Sequence, residues 1–502
     1  MTHSQPSSEL PGVRIARGAS YLILSDVANT FVGVLTFVIV VRLLTTFEIG
    51  LMATLLLVLQ LSQTAVALGL PSTLTKFVAQ TKRHVANRLI RNCLGVILTC
   101  SIVVGAVVVV YSSNLSLYLS KTLSYSPTFV VLGFAIISGG LYQPLAGILM
   151  GQQKIKEFAK LDTLRFLIQQ GLAATLVILG WRLLGVIIAW AVGYSFFAVS
   201  GYLVTDPRKV GKAVIGLKKL LWFSAPLYAR DSLTFAYNWV DRAILLLYVP
   251  LTGLGIYNVA FTGFGILAAT PGNMAMSLFP HYSKLSSGTR ERLQLSVQSA
   301  SRYIALVVSP LTLGMAALAP AVMRIFGPAY QSGAVALIIL SVSLFASLPS
   351  YSLGSILVAL NVPFKQSAST ITSVLISLLV GIILVPRFGI NGSAIARGLG
   401  MIASLIIIIW LVKNEIALKF DSLAIIKSAV ASTVMALVLI CLEFSLRSIL
   451  FLPIFVLAGS LVYVTMLRLE KAIDRADLEL FKAFVGERLA PIVERFGAWL
   501  VT

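Results

Sequence analysis

Long apolar segments alternate with short polar gaps along nearly the whole chain. The segments run roughly over 18–44, 49–70, 93–113, 127–150, 163–180, 184–204, 220–247, 255–280, 302–324, 333–359, 367–386, 393–412, 426–446 and 452–467. A helix needs about 20 mostly apolar residues to cross about 30 Å of hydrocarbon, so the pattern predicts about fourteen membrane-spanning helices. The gaps differ in charge. Thirty of the 39 Lys and Arg residues fall in the first gap and in every second gap after it, and only Arg42, Lys121, Arg182, Arg324, Arg387 and Arg447 fall in the others. Cytoplasmic loops retain Lys and Arg, which predicts cytoplasmic N- and C-termini. The expected class is an all-α polytopic membrane protein.

Composition excludes a soluble globule: 58% of residues are hydrophobic and only 11% charged. A net charge of +21 raises nucleic acid as a partner. The cations, however, are spread over many short loops with no basic stripe, so they read as topology determinants facing anionic lipid. The polar start, Met1 to Pro11, and the long apolar run after Arg14 and Arg17 do not read as a cleavable signal. Cys93, Cys100 and Cys441 lie singly in apolar segments, and His3, His84 and His281 are scattered over loops. Neither set has ligand spacing, so no metal, cofactor or catalytic group is expected.

Internal similarity divides the chain. At an offset of 205 residues Ser25-Asp26 overlays Arg230-Asp231, and Gly50 overlays Gly255. At 207, G-x-x-I-A-x-x-x-G from Gly185 to Gly193 overlays the same pattern from Gly392 to Gly400. Small-residue spacings are common in membrane helices; the near-constant offset gives these weight. Six segments per half is even, so both copies enter from one side and form parallel repeats. The expected organisation is a cytoplasmic start (1–17), an N-lobe of six helices (18–204), a basic linker (205–219) and a C-lobe of six helices (220–412). Two added helices (426–467) and an amphipathic cytoplasmic tail (468–502) follow, the tail with Ile473, Phe481, Phe484, Ile492, Phe496 and Trp499 at roughly helical spacing.

Charges inside the apolar segments are few: Asp26, Asp231, Asp241, Glu443, Arg230, Arg242 and Arg397. Each costs about 2.5–3.5 kcal/mol at a helix centre on insertion scales, so such residues face a bundle interior or a wet cavity. In the seventh segment Asp231, Thr234, Asn238 and Asp241 or Arg242 share one helical face. The first segment has a matching stripe in Asp26, Asn29 or Thr30, Gly33 and Thr36. Gln60, Gln63 and Thr64 add polar positions in the second segment, and Ser393, Arg397 and Ser404 in the twelfth. The candidate cavity residues are Asp26, Arg230, Asp231, Asn238, Arg242 and Arg397. Fastening helices by ion pairs is the competing role, expected for Glu443 with Arg447 at i,i+4; Arg242 is also placed to snorkel to the membrane surface.

Four turn signatures carry a family resemblance: Thr46 to Gly50, Phe326 to Tyr330, Asn361 to Lys365, and Val385 through Gly392 to Ala394. With their order along the segments, residues 12–468 resemble polysaccharide-export flippases of the multidrug/oligosaccharidyl-lipid/polysaccharide exporter superfamily, most of all the O-antigen type. The resemblance implies two six-helix lobes plus two helices, and alternating-access export of a polyprenyl-diphosphate-linked sugar whose diphosphate meets cationic cavity residues. Lipid II flippases carry an Arg-Asp pair in the first span; this chain has Ser25-Asp26 there and Arg230-Asp231 in the seventh, which argues against lipid II as cargo. The eleventh segment has no acid, which argues against a sodium site with a carboxylate from that helix.

The expected function is translocation of a polyprenyl-phosphate-linked glycan from the cytoplasmic to the outer leaflet. Guanidiniums suit phosphate through forked hydrogen bonds, and a negative-inside potential favours outward movement of a dianion by about 4.6 kcal/mol at 100 mV. Coupling to Na+ or H+ is therefore allowed but not electrically required. Expected partners are the glycan lipid and membrane lipids, with the chain acting as a monomer in the cell membrane. The alternatives are a multidrug exporter of the same superfamily, a membrane glycosyltransferase or polymerase, and a structural scaffold. An exporter of cations would favour an acid-dominated cavity. A transferase would need acids or His in large outer loops, and the longest outer gap, 114–126, contains none. A scaffold leaves the polar stripes unexplained.

Overall fold

The computed structural model describes residues 29–80, 83–206, 217–285, 290–415, 421–446 and 448–472, and among these there is helix and no strand. The first helices are α1 (Asn29–Leu43), α2 (Thr46–Ala67), α3 (Leu70–Gln80), α4 (Arg83–Val110), α5 (Ser112–Ser120), α6 (Ser126–Gly140), α7 (Tyr142–Gly151), α8 (Ile155–Leu176) and α9 (Arg182–Thr205). They are followed by α10 (Leu217–Tyr248), α11 (Leu251–Leu285), α12 (Arg290–Phe326), α13 (Ala334–Ser347), α14 (Pro349–Ala359), α15 (Pro363–Lys413), α16 (Ser422–Ser445) and α17 (Leu452–Leu469). The chain is a multi-pass membrane protein: among the described residues ten helical stretches are long and apolar enough to span a bilayer.

Two of those stretches, Ile155–Thr205 and Pro363–Lys413, hold 51 residues each, about 77 Å at 1.5 Å per residue. That is more than twice a bilayer, and each folds back on itself. The reversals sit at Gly180 (φ 88°) and Gly389 (φ 54°), the left-handed region that glycine enters without steric cost. Close approach of the two arms follows. A methyl group at Gly185 would come 2.7 Å from Leu176 Cβ, and one at Gly193 3.0 Å from Gln169 Cβ. A methyl at Gly392 would lie 2.4 Å from the Leu384 carbonyl oxygen, and one at Gly400 2.6 Å from that of Ser373. The repeated G-x-x-I-A-x-x-x-G motif thus marks the place where the second arm of each hairpin packs without side chains against the first.

Packing divides the chain into two compact units, one up to Ala236 and one from Tyr237 onward. The division falls inside α10, whereas the sequence suggests a linker over 205–219, of which 207–216 lie outside the described residues. In the first unit α3, α4, α7 and α9 share a core of Leu70, Leu74, Ile90, Leu94, Leu145 and Phe197. In the second unit Met435, Leu439, Phe455 and Tyr463 of the two added helices pack on Ala317 and Leu318 of α12.

Several polar gaps are helical. Most of α5 lies in the 114–126 gap, and α8 begins in the basic gap after residue 150, so Arg165, one of the thirty cations assigned to the basic gaps, is a buried helix residue and not a loop cation. The segments 127–150 and 333–359 are each broken into two helices, at Leu141 and at Leu348-Pro349; proline lacks the N–H that an uninterrupted helix would use. The expected amphipathic tail beyond Ala472, like Asp26 and Arg447, lies outside the described residues.

Candidate functional site

The first half of α10 is positioned by α3. At the α2–α3 turn Leu68 (φ 50°) and Gly69 (φ 68°) adopt the left-handed conformation. A methyl at Gly69 would lie 2.4 Å from the Ser224 carbonyl oxygen and 2.6 Å from the Tyr228 nitrogen. Phe77 packs edge-on against Phe223 at 5.3 Å, with the Lys76 ammonium 4.4 Å from the same ring. This seating brings Ser72 to Arg230, whose Nη2 donates to Ser72 Oγ at 3.2 Å and to Asp231 Oδ1 at 2.8 Å. Arg230 remains half exposed, with 55% of its side chain accessible, and Asp231 32%. Thr234 and Asn238, along the same helix, are also exposed.

The charged residues of the second half of α10 are buried, in the second unit. Asp241 is 3% exposed, Arg242 8% and Arg397 3%. Asp241 Oδ1 accepts the Arg242 main-chain N–H at 2.8 Å, and its Oδ2 accepts the Tyr257 hydroxyl at 2.9 Å. Arg242 Nε lies 3.8 Å from Oδ1, and Arg397 Nη1 3.9 Å from Oδ2. Arg397 donates to the Tyr237 carbonyl, Arg242 to that of Asn238, and Ser393 Oγ to that of Asp241 at 3.3 Å. Aromatic faces replace water around the cations. The Arg242 guanidinium sits 3.8 Å from the Trp239 ring centre and 4.1 Å from Phe261, and that of Arg397 4.4 Å from Tyr237. Such stacking is worth about 2 kcal/mol when desolvated.

Two guanidiniums share one carboxylate, so the cluster carries a surplus positive charge. Among the described residues Arg242 Nε and Arg397 Nε have no hydrogen-bond acceptor, so each is a buried donor with spare capacity. Arg242 does not snorkel; it folds back over its own helix. Asp241 stands on the polar face predicted for the seventh segment but not among the six candidate residues, and Tyr257 and Tyr237 are in neither. A tyrosine in mid-segment was the available signal, since a buried phenol needs a partner.

Three further clusters each contain a pairing that no sequence spacing predicts. Arg165 bridges Asp162 (Nε–Oδ1 2.8 Å) and Gln169 (Nη1–Oε1 3.0 Å), with the Tyr142 ring centre 4.8 Å away. Tyr142 in turn donates to Asp162 at 2.9 Å. Arg182 forks onto Glu48 at 2.8 and 2.6 Å, and Glu48 also closes the capping box with Thr45 at the start of α2. Glu443 pairs with Arg324 of α12; its expected i,i+4 partner, Arg447, lies outside the described residues.

A family model described as "Polysaccharide biosynthesis protein" matches residues 39–335. The chain is 27% identical over 397 residues to a Haloferax volcanii protein named probable low-salt glycan biosynthesis flippase Agl15, covering 77% of this chain and 80% of that one. Its fold is similar to that of lipid II flippase MurJ in an inward closed conformation. The TM-score is 0.72 at 15% identity, over 88% of this chain and 98% of that one. An inward-facing multidrug resistance MATE family transporter of the MOP superfamily gives 0.58 at 16% identity, over 77% and 94%. At such identities the structural likeness shows the fold alone.

Proposed function

The chain belongs to this family of polysaccharide biosynthesis proteins, and from that premise we propose that it is a flippase for a polyprenyl-phosphate- or diphosphate-linked oligosaccharide. It carries the glycan from the cytoplasmic to the outer leaflet by alternating access, supplying cell-surface polysaccharide or glycan assembly. The observation that supports this most is the buried surplus of guanidinium over carboxylate around Asp241, in a fold similar to those of MurJ and MATE transporters. A cavity built for cationic drugs would carry the opposite sign.

In this reading Arg230 is the accessible cation that first meets the phosphate, steadied by Asp231 and Ser72. Asn238 offers amide groups to sugar hydroxyls. Arg242 and Arg397 are held under aromatic rings until the cycle uncovers them, and Asp26 of the first apolar segment completes the candidate set. The fourteen crossings, the cytoplasmic termini, the lobes at 18–204 and 220–412, and action as a monomer belong to the same proposal. Na+ or H+ is its coupling ion if one operates.

The test measures surface glycan and membrane abundance together in Arg230→Ala and Arg397→Ala. Export should fall with abundance preserved, and Arg→Lys should restore it in part, keeping the charge but losing the planar fork. Normal export per molecule with Ala at both positions would overturn the assignment, and altered efflux of cationic dyes in those variants would favour the drug-exporter reading.

A further inference from the structure

An open groove of about 410 Å³ runs along the outer face of the first unit, between α4, the start of α7 and the end of α9. Its walls include Leu98, Leu145 and Val199, and its floor at Gly95 has nothing within 4 Å of where a side chain would begin. Leu98, Val199 and Leu203 are 37%, 63% and 56% exposed. On a multi-pass membrane protein such a face lies against lipid. The volume is within the ~300–1,000 Å³ range of small-ligand pockets.

One end of this groove is polar. The start of α4 meets the end of α9 through Asn87 Nδ2 and the Asp206 carbonyl at 3.4 Å, so Arg91 and Tyr202 stand at the same end. Lys154 is held there too, donating to the Val204 carbonyl at 2.6 Å. Arg88, one turn before Arg91 on α4, is exposed like it, and neither has an acidic partner among the described residues. Exposed tyrosine at a helix end marks the headgroup level of a bilayer, and basic pockets between helices at that level take anionic headgroups.

We propose that this groove is a binding site for an anionic membrane phospholipid, with one acyl chain over Gly95 and the phosphate on Arg91. Charge complementarity and shape both support it: an apolar trough sized for one chain ends at a phenol and at the Arg91 guanidinium, which has no acidic partner among the described residues. The lining offers a phosphate its donors and offers a bulky sugar nothing further, which sets the site apart from the glycan contacts proposed for Arg230 and for Arg397. A lipid seated here ties α4 to α9.

The experiment is native mass spectrometry of the purified full-length protein, titrated with phosphatidylglycerol or with phosphatidylcholine of the same acyl chains. Wild type should retain phosphatidylglycerol in preference. Arg91→Gln should weaken that retention about tenfold, the effect of losing one charge-assisted hydrogen bond, while leaving phosphatidylcholine unchanged. Gly95→Trp, which fills open space, should weaken both lipids. Leu461→Trp, on the exposed face of α17, should weaken neither. Equal retention by wild type and Gly95→Trp would overturn the proposal. So would displacement of bound phosphatidylglycerol by equimolar polyprenyl phosphate, which would give the groove to the cargo's own lipid. Retention is read without transport, so its failure leaves the export reading standing.

Discussion

Arg397 lies 3.9 Å from the Asp241 carboxylate, yet it gives its hydrogen bond to the main-chain carbonyl of Tyr237, one turn earlier on α10. The guanidinium thus fastens the second arm of α15 to the backbone of α10 and leaves the carboxylate to Tyr257 and Arg242. A buried cation held by a carbonyl and aromatic faces is bound more loosely than one in a forked ion pair. That is the loose hold that the proposed role of Arg397 in transport requires.

Tyr257→Phe should destabilise the second unit by about 1–3 kcal/mol, because Asp241 Oδ2 loses the hydroxyl that satisfies it. Asp241→Ala should cost more, about 3–5 kcal/mol, since two buried guanidiniums then lack a counter-charge. Thermal unfolding in detergent reads both. An unchanged midpoint in Asp241→Ala would mean that the cations are balanced by something else.

Gly392→Ala should be poorly tolerated, because the new methyl meets the Leu384 carbonyl oxygen at 2.4 Å and backbone cannot rotate away. Gly171→Ala in α8 meets nothing within 4 Å and should gain about 0.5–1 kcal/mol from helix propensity. Comparing membrane abundance and melting of the two separates steric packing from loss of glycine flexibility. If both behave alike, hairpin closure does not depend on the missing side chain.

Arg324 and Glu443 offer a charge-reversal test across α12 and α16. Either Arg324→Glu or Glu443→Arg alone should lower stability by about 1–3 kcal/mol through a half-buried like-charge pair. The double reversal should recover most of the loss. Additive losses in the double variant would show that the two side chains act independently.

Topology can be checked with single cysteines. An impermeant thiol reagent applied to intact cells should label a cysteine at Ser124, which is exposed beside α5, and spare one at Ser7 or Ser287. Labelling at Ser287 from outside would reverse the orientation drawn from the Lys and Arg distribution.

The membrane class, the helical fold and the polar face of α10 were written in the sequence, because each follows from local composition and a period of 3.6 residues. Hydrocarbon must be spanned by about 20 apolar residues whatever their neighbours are. The repeated glycine motif was legible too, since close helix packing needs small residues on one face. Which charges pair was decided only by tertiary structure. Glu443 pairs with Arg324, 119 positions away, and Arg165 is a buried bridge within its helix. Asp241, Tyr257 and Arg397 converge from α10, α11 and α15, and no spacing along the chain encodes that meeting. The identity of a buried ion's partner depends on which helices pack at that depth, a property of the whole bundle. The presence of the ion is a property of one segment, and it could be read from that segment alone.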